Sequence, residues 1–169
     1  MRMDLGQKEY IVKSSTVIGV IGLGYVGLPL SVAFAKYFDV VGFDISSQRV
    51  AELNRDEDIT HEIDAKQIKL VSDRIAFTDD SKNLSRCEVF IVCVPTPIDI
   101  NNAPDLTALT RATELVAVNM KKGTIVIFES TVYPGATEEH CVPILETVSN
   151  LTLDVDFAVG YSPERINPG

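Results

Sequence analysis

Apolar residues along this chain switch repeatedly between two spacings. Residues 16–21 form a β-branched run that predicts a buried strand. Val26, Leu30, Ala33 and Tyr37 then recur at helical spacing, predicting a helix over residues 25–37. Residues 40–43 read as a short strand ending at Asp44, and residues 46–54 as a helix capped by Ser46 or Ser47. Residues 55–69 are polar and charged, a surface loop with a short helix. Residues 75–77 form a weak strand and residues 89–94 a strong one. Pro95, Pro97 and Pro104 make 95–104 a loop. Asp105 caps a helix to about Asn119, which residues 121–123 end. Residues 124–128 are the next strand, 134–149 mostly helix with a kink at Pro143, and 155–159 the last strand. Strands separated by helices cannot return as hairpins, so they run parallel. The pattern therefore predicts an α/β fold: a doubly wound parallel sheet of about six strands over residues 14–169, after an N-terminal extension of residues 1–13.

Composition narrows the partners. The 169 residues suit one domain, and 46% hydrophobic with 23% charged residues is ordinary for a globular chain. A net charge of −9 and a pI near 4.6 disfavour a phosphate backbone or an anionic surface, so neither nucleic acid nor membrane is expected as a partner. Residues 14–35 carry no charge and are long enough to span a bilayer. Their glycines, Pro29 and mid-run change of period fit a strand, a turn and a helix better. Three cysteines make no disulfide scaffold and fit a reducing compartment, the cytoplasm. His61 and His140 lie too far apart for metal-ligand spacing, and no metal is expected.

Between the first strand and first helix stands Gly22-Leu23-Gly24-Tyr25-Val26-Gly27, a G-x-G-x-x-G in the setting that gives that motif meaning. Gly22 permits the tight turn, Gly24 leaves the backbone open to a pyrophosphate, and Gly27 lets the helix lie close to the sheet. The first N–H groups of that helix have no internal partner and face the anion. Asp44 lies 22 residues after Gly22, where a carboxylate accepts hydrogen bonds from an adenosine ribose and repels a 2′-phosphate, favouring NAD over NADP. The plain alternative for Asp44 is a cap on the following helix. Arg49 counts among the cofactor-binding residues because its charge could soften the exclusion of NADP, its alternative being a solvated helix face. The motif makes the predicted sheet a Rossmann-type fold. Ligands of such sheets bind beyond the carboxyl ends of the strands, which draws in Val94-Pro95-Thr96-Pro97, Glu129-Ser130-Thr131 and residues 161–164.

Gly22-Leu23-Gly24-Tyr25-Val26-Gly27-Leu28-Pro29, Val94-Pro95-Thr96-Pro97, Ser130-Thr131-Val132-Tyr133-Pro134-Gly135 and Ser162-Pro163-Glu164-Arg165-Ile166-Asn167-Pro168-Gly169 together resemble the nucleotide-sugar 6-dehydrogenases, the UDP-glucose/GDP-mannose dehydrogenase family. The last motif is similar to the branch acting on UDP-N-acetylhexosamines for surface polysaccharides. The resemblance implies that the chain is the NAD-binding N-terminal domain of an enzyme that oxidises the sugar C6 alcohol to a carboxylate and reduces two NAD. In that family a cysteine attacks the intermediate aldehyde, and water hydrolyses the resulting thioester. Carried over by position, Gly22, Gly24, Tyr25, Val26 and Gly27 cradle the pyrophosphate and Asp44 holds the ribose. Pro95, Thr96, Ser130 and Thr131 line the cofactor, with Thr131 also positioning the catalytic water. Glu164 acts as general base, and Glu164 and Arg165 meet the sugar nucleotide.

The family's nucleophilic cysteine, its lysine and most sugar contacts belong to a second half absent from residues 1–169. Cys87, Cys93 and Cys141 read as small core residues. The resemblance therefore implies that this chain binds NAD and turns over nothing alone, and that the full-length enzyme is a homodimer while the fragment can be a monomer. Two other readings stay open: a stand-alone NAD-binding or sensing module, and another hydroxyl-oxidising dehydrogenase with the same N-terminal fold.

Overall fold

The computed structural model describes residues 2–5, 8–97, 104–130, 132–133 and 135–162, with side chains described from Val12 onward. The N-terminal extension holds two strands, β1 (Arg2–Leu5) and β2 (Lys8–Ile11), paired antiparallel as a small separate sheet. The remaining strands form one six-stranded sheet: β3 (Val17–Ile21), β4 (Asp39–Phe43), β5 (Ile75–Thr78), β6 (Val89–Val92), β7 (Ile125–Phe128) and β8 (Ala158–Tyr161). Every pairing is parallel, in the order β5-β4-β3-β6-β7-β8. The order reverses between β3 and β6, which is the switch point where a ligand crevice opens.

Both faces of the sheet are covered. Val20, Val89 and Ile91 face one core with Leu28 and Val32 of α1 (Gly27–Ala35) and Ile68 of α3 (Ala65–Lys69). Ile21, Phe90 and Val92 face the other, with Leu109 and Val116 of α4 (Thr107–Asn119) and Leu145 of α5 (Val142–Ser149). Neighbouring strand residues thus point to opposite cores, which is why the strands read as unbroken apolar runs. Phe90, Phe128 and Phe157 are completely buried and anchor the α4–α5 side; each contributes roughly 1.5–3 kcal/mol of burial.

The strand ends are level. Gly22 N–H donates to Phe43 O at 2.8 Å, Cys93 N–H to Ile21 O at 2.8 Å, Glu129 N–H to Val92 O and Ser162 N–H to Phe128 O at 2.9 Å. Each ladder runs one residue past its strand, so the loops leave the sheet along one carboxyl-end rim.

Three expectations need correction. The final strand begins at Ala158, not Val155, because residues 152–156 close a turn: Asp154 N–H donates to Phe157 O, Thr152 N–H donates to the Asp156 carboxylate, and Asp154 takes a φ of 61°. Asp105 stands one residue before the N-cap Leu106 and accepts from Thr107 N–H, so it supports the helix start from outside. The break near Pro143 is a single π-helical turn, Thr137–Cys141, after which Pro143 occupies the first turn of α5, where its missing N–H does least harm.

The uncharged run 14–35 divides into β3, the glycine turn and the nine-residue α1, and among the described residues no helix is long and apolar enough to cross a membrane.

Candidate functional site: the glycine-loop crevice

Gly22 follows the last residue of β3 and adopts a φ of 92°, which favours glycine over any L side chain. A Cβ there would lie 2.9 Å from the Cys93 carbonyl oxygen, so the turn also needs the small residue for space. A Cβ on Gly27 would collide with the Gly22 carbonyl oxygen, which fixes how closely α1 approaches the turn. Gly24 differs: a Cβ there would meet no protein atom within 4 Å. The space above Gly24 is open to a ligand, and nothing in the protein itself demands glycine at that position.

α1 begins at Gly27 with Val26 as N-cap, no side chain caps it, and no acid occupies its first turn. Leu28 N–H donates to Gly24 O, Leu30 N–H to Val26 O, and Pro29 has no N–H, so the donors left to an anion at the positive end of the helix dipole are those of Tyr25, Val26 and Gly27. Tyr25 beside them is 55% exposed and rims the crevice.

Asp44 follows β4 and directs its carboxylate back to the glycine turn. Oδ2 accepts from Leu23 N–H at 2.8 Å and Oδ1 accepts from Ser46 N–H at 2.9 Å. The helix that follows, α2 (Ser47–Leu53), is capped by Ser46, whose Oγ accepts from Arg49 N–H. Asp44 is thus a brace for the turn rather than the helix cap. Each carboxylate oxygen has accepted one N–H, which leaves acceptor capacity on both for ribose hydroxyls.

Arg49 departs from the solvated-face expectation. It is only 8% exposed, and its Nε donates to the Leu23 carbonyl at 2.9 Å. Its Nη2 donates to Asp58 Oδ1 at 2.8 Å. Burial alone would raise the Asp58 carboxyl, but hydrogen bonds from Thr60, Arg49 and the Ile63 and Thr60 backbone N–H groups outweigh it and hold the pKa down to about 2.

Between the β3 and β4 ends and α4 lies a cavity of about 400 Å³ whose wall joins Gly22 and Asp44 to Ile45, Pro95, Arg111 and Leu115. Ile45 is 80% exposed in this open pocket, far more than its apolar side chain would favour without a partner. The mostly apolar wall beside the Asp44 carboxylate has the character of a pocket for a flat ring. Of these residues the sequence points to Gly22, Asp44 and Pro95. Ile45, Arg111 and Leu115 carry no motif; Ile45 follows Asp44 in the chain, and the packing of α4 across the switch point brings Arg111 and Leu115 to it.

Pro95 is exposed on the rim and Thr96 half-buried beside it. Ser130 is buried, and its hydroxyl donates to the Val94 carbonyl at 2.8 Å, tying the β7 end to the β6 end. Thr131, Glu164 and Arg165 lie outside the described residues. Cys87 and Cys141 are buried, and burial pushes the Cys87 thiol up to about 11 and raises that of Cys141, which makes both poor nucleophiles.

The residues present fit a dinucleotide: an open approach at Gly24, uncapped helix donors, a carboxylate with spare lone pairs and an apolar cavity next to it. Comparison with known proteins agrees. Residues 16–169 match the model of the UDP-glucose/GDP-mannose dehydrogenase family, NAD binding domain. A UDP-N-acetyl-D-glucosamine 6-dehydrogenase of Pseudomonas aeruginosa is 57% identical over 152 residues, covering 90% of this chain and 36% of that protein. A solved UDP-N-acetyl-D-mannosamine dehydrogenase from Pyrococcus horikoshii superposes with a TM-score of 0.84 at 42% identity, over 91% of this chain and 37% of that one. A GDP-mannose dehydrogenase from Pseudomonas aeruginosa, solved as a ternary complex, gives 0.81 at 26% identity, over 89% and 36% of the two chains. The chain therefore spans little more than a third of the length of these relatives. With its parallel sheet, its glycine turn and Asp44 braced against that turn, the chain belongs to the UDP-glucose/GDP-mannose dehydrogenase family, as its NAD-binding domain.

Proposed function

We propose that this domain serves a UDP-N-acetylhexosamine 6-dehydrogenase, an enzyme that oxidises the C6 alcohol of a UDP-linked N-acetyl sugar to the uronic acid for surface polysaccharide synthesis. The observation that carries this reading is the 57% identity to a UDP-N-acetyl-D-glucosamine 6-dehydrogenase across a segment that contains the whole glycine-loop crevice. NAD, when bound, supplies the hydride acceptor. The chain's own residues orient it: the Tyr25 and Val26 N–H groups take the pyrophosphate, Asp44 takes the ribose hydroxyls, and the cavity by Ile45 and Leu115 takes the adenine.

Beyond the adenosine half, Thr96 and Thr131 line the nicotinamide side, and Pro95 closes the cavity wall beside Asp44. Ser130 contributes by holding the β6 and β7 ends together, as its bond to Val94 supports. Thr131 positions the hydrolytic water and Glu164 acts as its general base, with Arg165 meeting the UDP-sugar. Cys87 and Cys141 are buried and Cys93 is half-buried just past β6, the nucleophile belongs to residues outside this chain, and the full-length enzyme works as a homodimer.

Calorimetry of the isolated chain with NAD, followed by a rate assay with UDP-N-acetylglucosamine and its epimers, tests the reading. Binding without turnover is expected. Turnover by this chain alone would contradict the division of labour. A full-length protein that binds NAD but oxidises no UDP-sugar would favour the sensing module instead.

A further inference from the structure

Arg111 lines the same cavity as Asp44 but takes no part in holding the protein together. It is exposed, and it makes no hydrogen bond or ion pair among the described residues. Asp44 has one N–H on each carboxylate oxygen, from Leu23 and Ser46, and no ion pair joins it to Arg111. A solvated arginine needs no protein partner, so what gives this one meaning is the shape and chemistry of the cavity it borders.

α4 gives the cavity Ala108, Arg111, Ala112 and Leu115, the i, i+3, i+4 and i+7 positions of one helix face. Two of the four are alanines, so the helix offers a shallow trough that larger side chains would fill. Ile45 closes the β4 side of the cavity. A slot with apolar walls on both sides accepts a flat ring. It does not suit a phosphate, which would lose its water against alanine and isoleucine side chains with few donors in return. Arg111 is the one cation among the described lining residues. Its planar guanidinium is the group that can lie flat on an aromatic face, attracted by the ring quadrupole.

We propose that Arg111 is a cofactor-binding residue: its guanidinium folds over the cavity and stacks on the face of the adenine, while the base rests in the α4 trough beside Ile45. The inference rests on the NAD site described above and adds to it the group that grips the base. The glycine turn takes the pyrophosphate and Asp44 takes the ribose, and neither senses which base follows. Arg111 makes affinity depend on the size of that ring.

The test is calorimetry of the full-length protein, wild type and Arg111→Ala, with NAD and with the analogue that carries cytosine in place of adenine. Arg111 is exposed and unpartnered among the described residues, and alanine is the best helix former, so the variant is expected to keep the wild-type Tm. Stacking on the base predicts that Arg111→Ala weakens NAD by about tenfold and the cytosine analogue by no more than about twofold, because less ring lies beneath the guanidinium. A loss equal for both ligands, or larger for the analogue, overturns the inference, since it places the guanidinium on the ribose or pyrophosphate that the two share. Unchanged NAD affinity in Arg111→Ala also overturns it and leaves Arg111 a solvated surface residue. Wild-type protein that binds neither ligand overturns the NAD site and the inference with it.

Discussion

The two ends of the crevice secure their turns by different means. At the β3–β4 end, Leu23 is gripped through charged side chains, Asp44 on its N–H and Arg49 on its carbonyl, with Asp58 behind Arg49. At the β6–β7 end a neutral hydroxyl, Ser130, does the equivalent work on Val94. A charged grip responds to protonation and to loss of either partner, because a bared buried charge is costly. A neutral one is confined to the net worth of a single hydrogen bond. Sensitivity to pH and to substitution should therefore concentrate on the β3–β4 end.

The strongest break in that comparison is steric. Gly27→Ala forces a methyl group into the Gly22 carbonyl, so the turn must shift. Overpacking of this kind costs about 1–3 kcal/mol, and NAD binding is expected to disappear from the calorimetric trace. Wild-type Tm and affinity in that variant would mean the turn is not held as described.

Next comes Asp44→Ala. Loss of a charged acceptor for the ribose is expected to weaken NAD by about 1–3 kcal/mol, and unchanged affinity would refute the ribose role. The neutral end should respond less: Ser130→Ala removes one hydrogen bond, expected to cost about 0.5–1.5 kcal/mol in a denaturation midpoint series. A larger loss there than at Asp44 would reverse the ranking.

Acid titration sharpens the contrast without touching the cofactor. Asp58 titrates near 2 in the folded state against an ordinary 3.8. Its folded value is depressed, so its contribution is complete above the ordinary value and is lost as pH falls toward 2. That contribution is on the order of 2 kcal/mol. Urea midpoints measured from pH 5 to pH 2 should fall more steeply in the wild type than in Asp58→Asn, and parallel curves would remove Asp58 from the account.

The sequence made the sheet legible because its strands are covered on both faces and leave long β-branched runs at 16–21, 89–94 and 124–128. Val155 looks like strand material but stands 58% exposed in a turn, so the last strand starts three residues later than the apolar pattern predicts. The pairing of β1 with β2 leaves no signal in the sequence, since residues 1–13 mix polar and apolar positions without a clean period. Among site residues, the glycines and Asp44 were legible from local spacing. Arg49 was not, because burial came from partners 26 residues before it and 9 after it. Ile45, Arg111 and Leu115 share a cavity only through the tertiary packing of α4, which leaves no mark in any one segment.

Diffraction from crystals of this domain grown with NAD tests the central claim most directly. The account expects the pyrophosphate against the Tyr25 and Val26 N–H groups, the adenosine ribose within hydrogen-bonding distance of Asp44, and the adenine between Ile45 and Leu115. Density for the dinucleotide elsewhere, with the space above Gly24 filled by solvent or by the chain's own side chains, would contradict it.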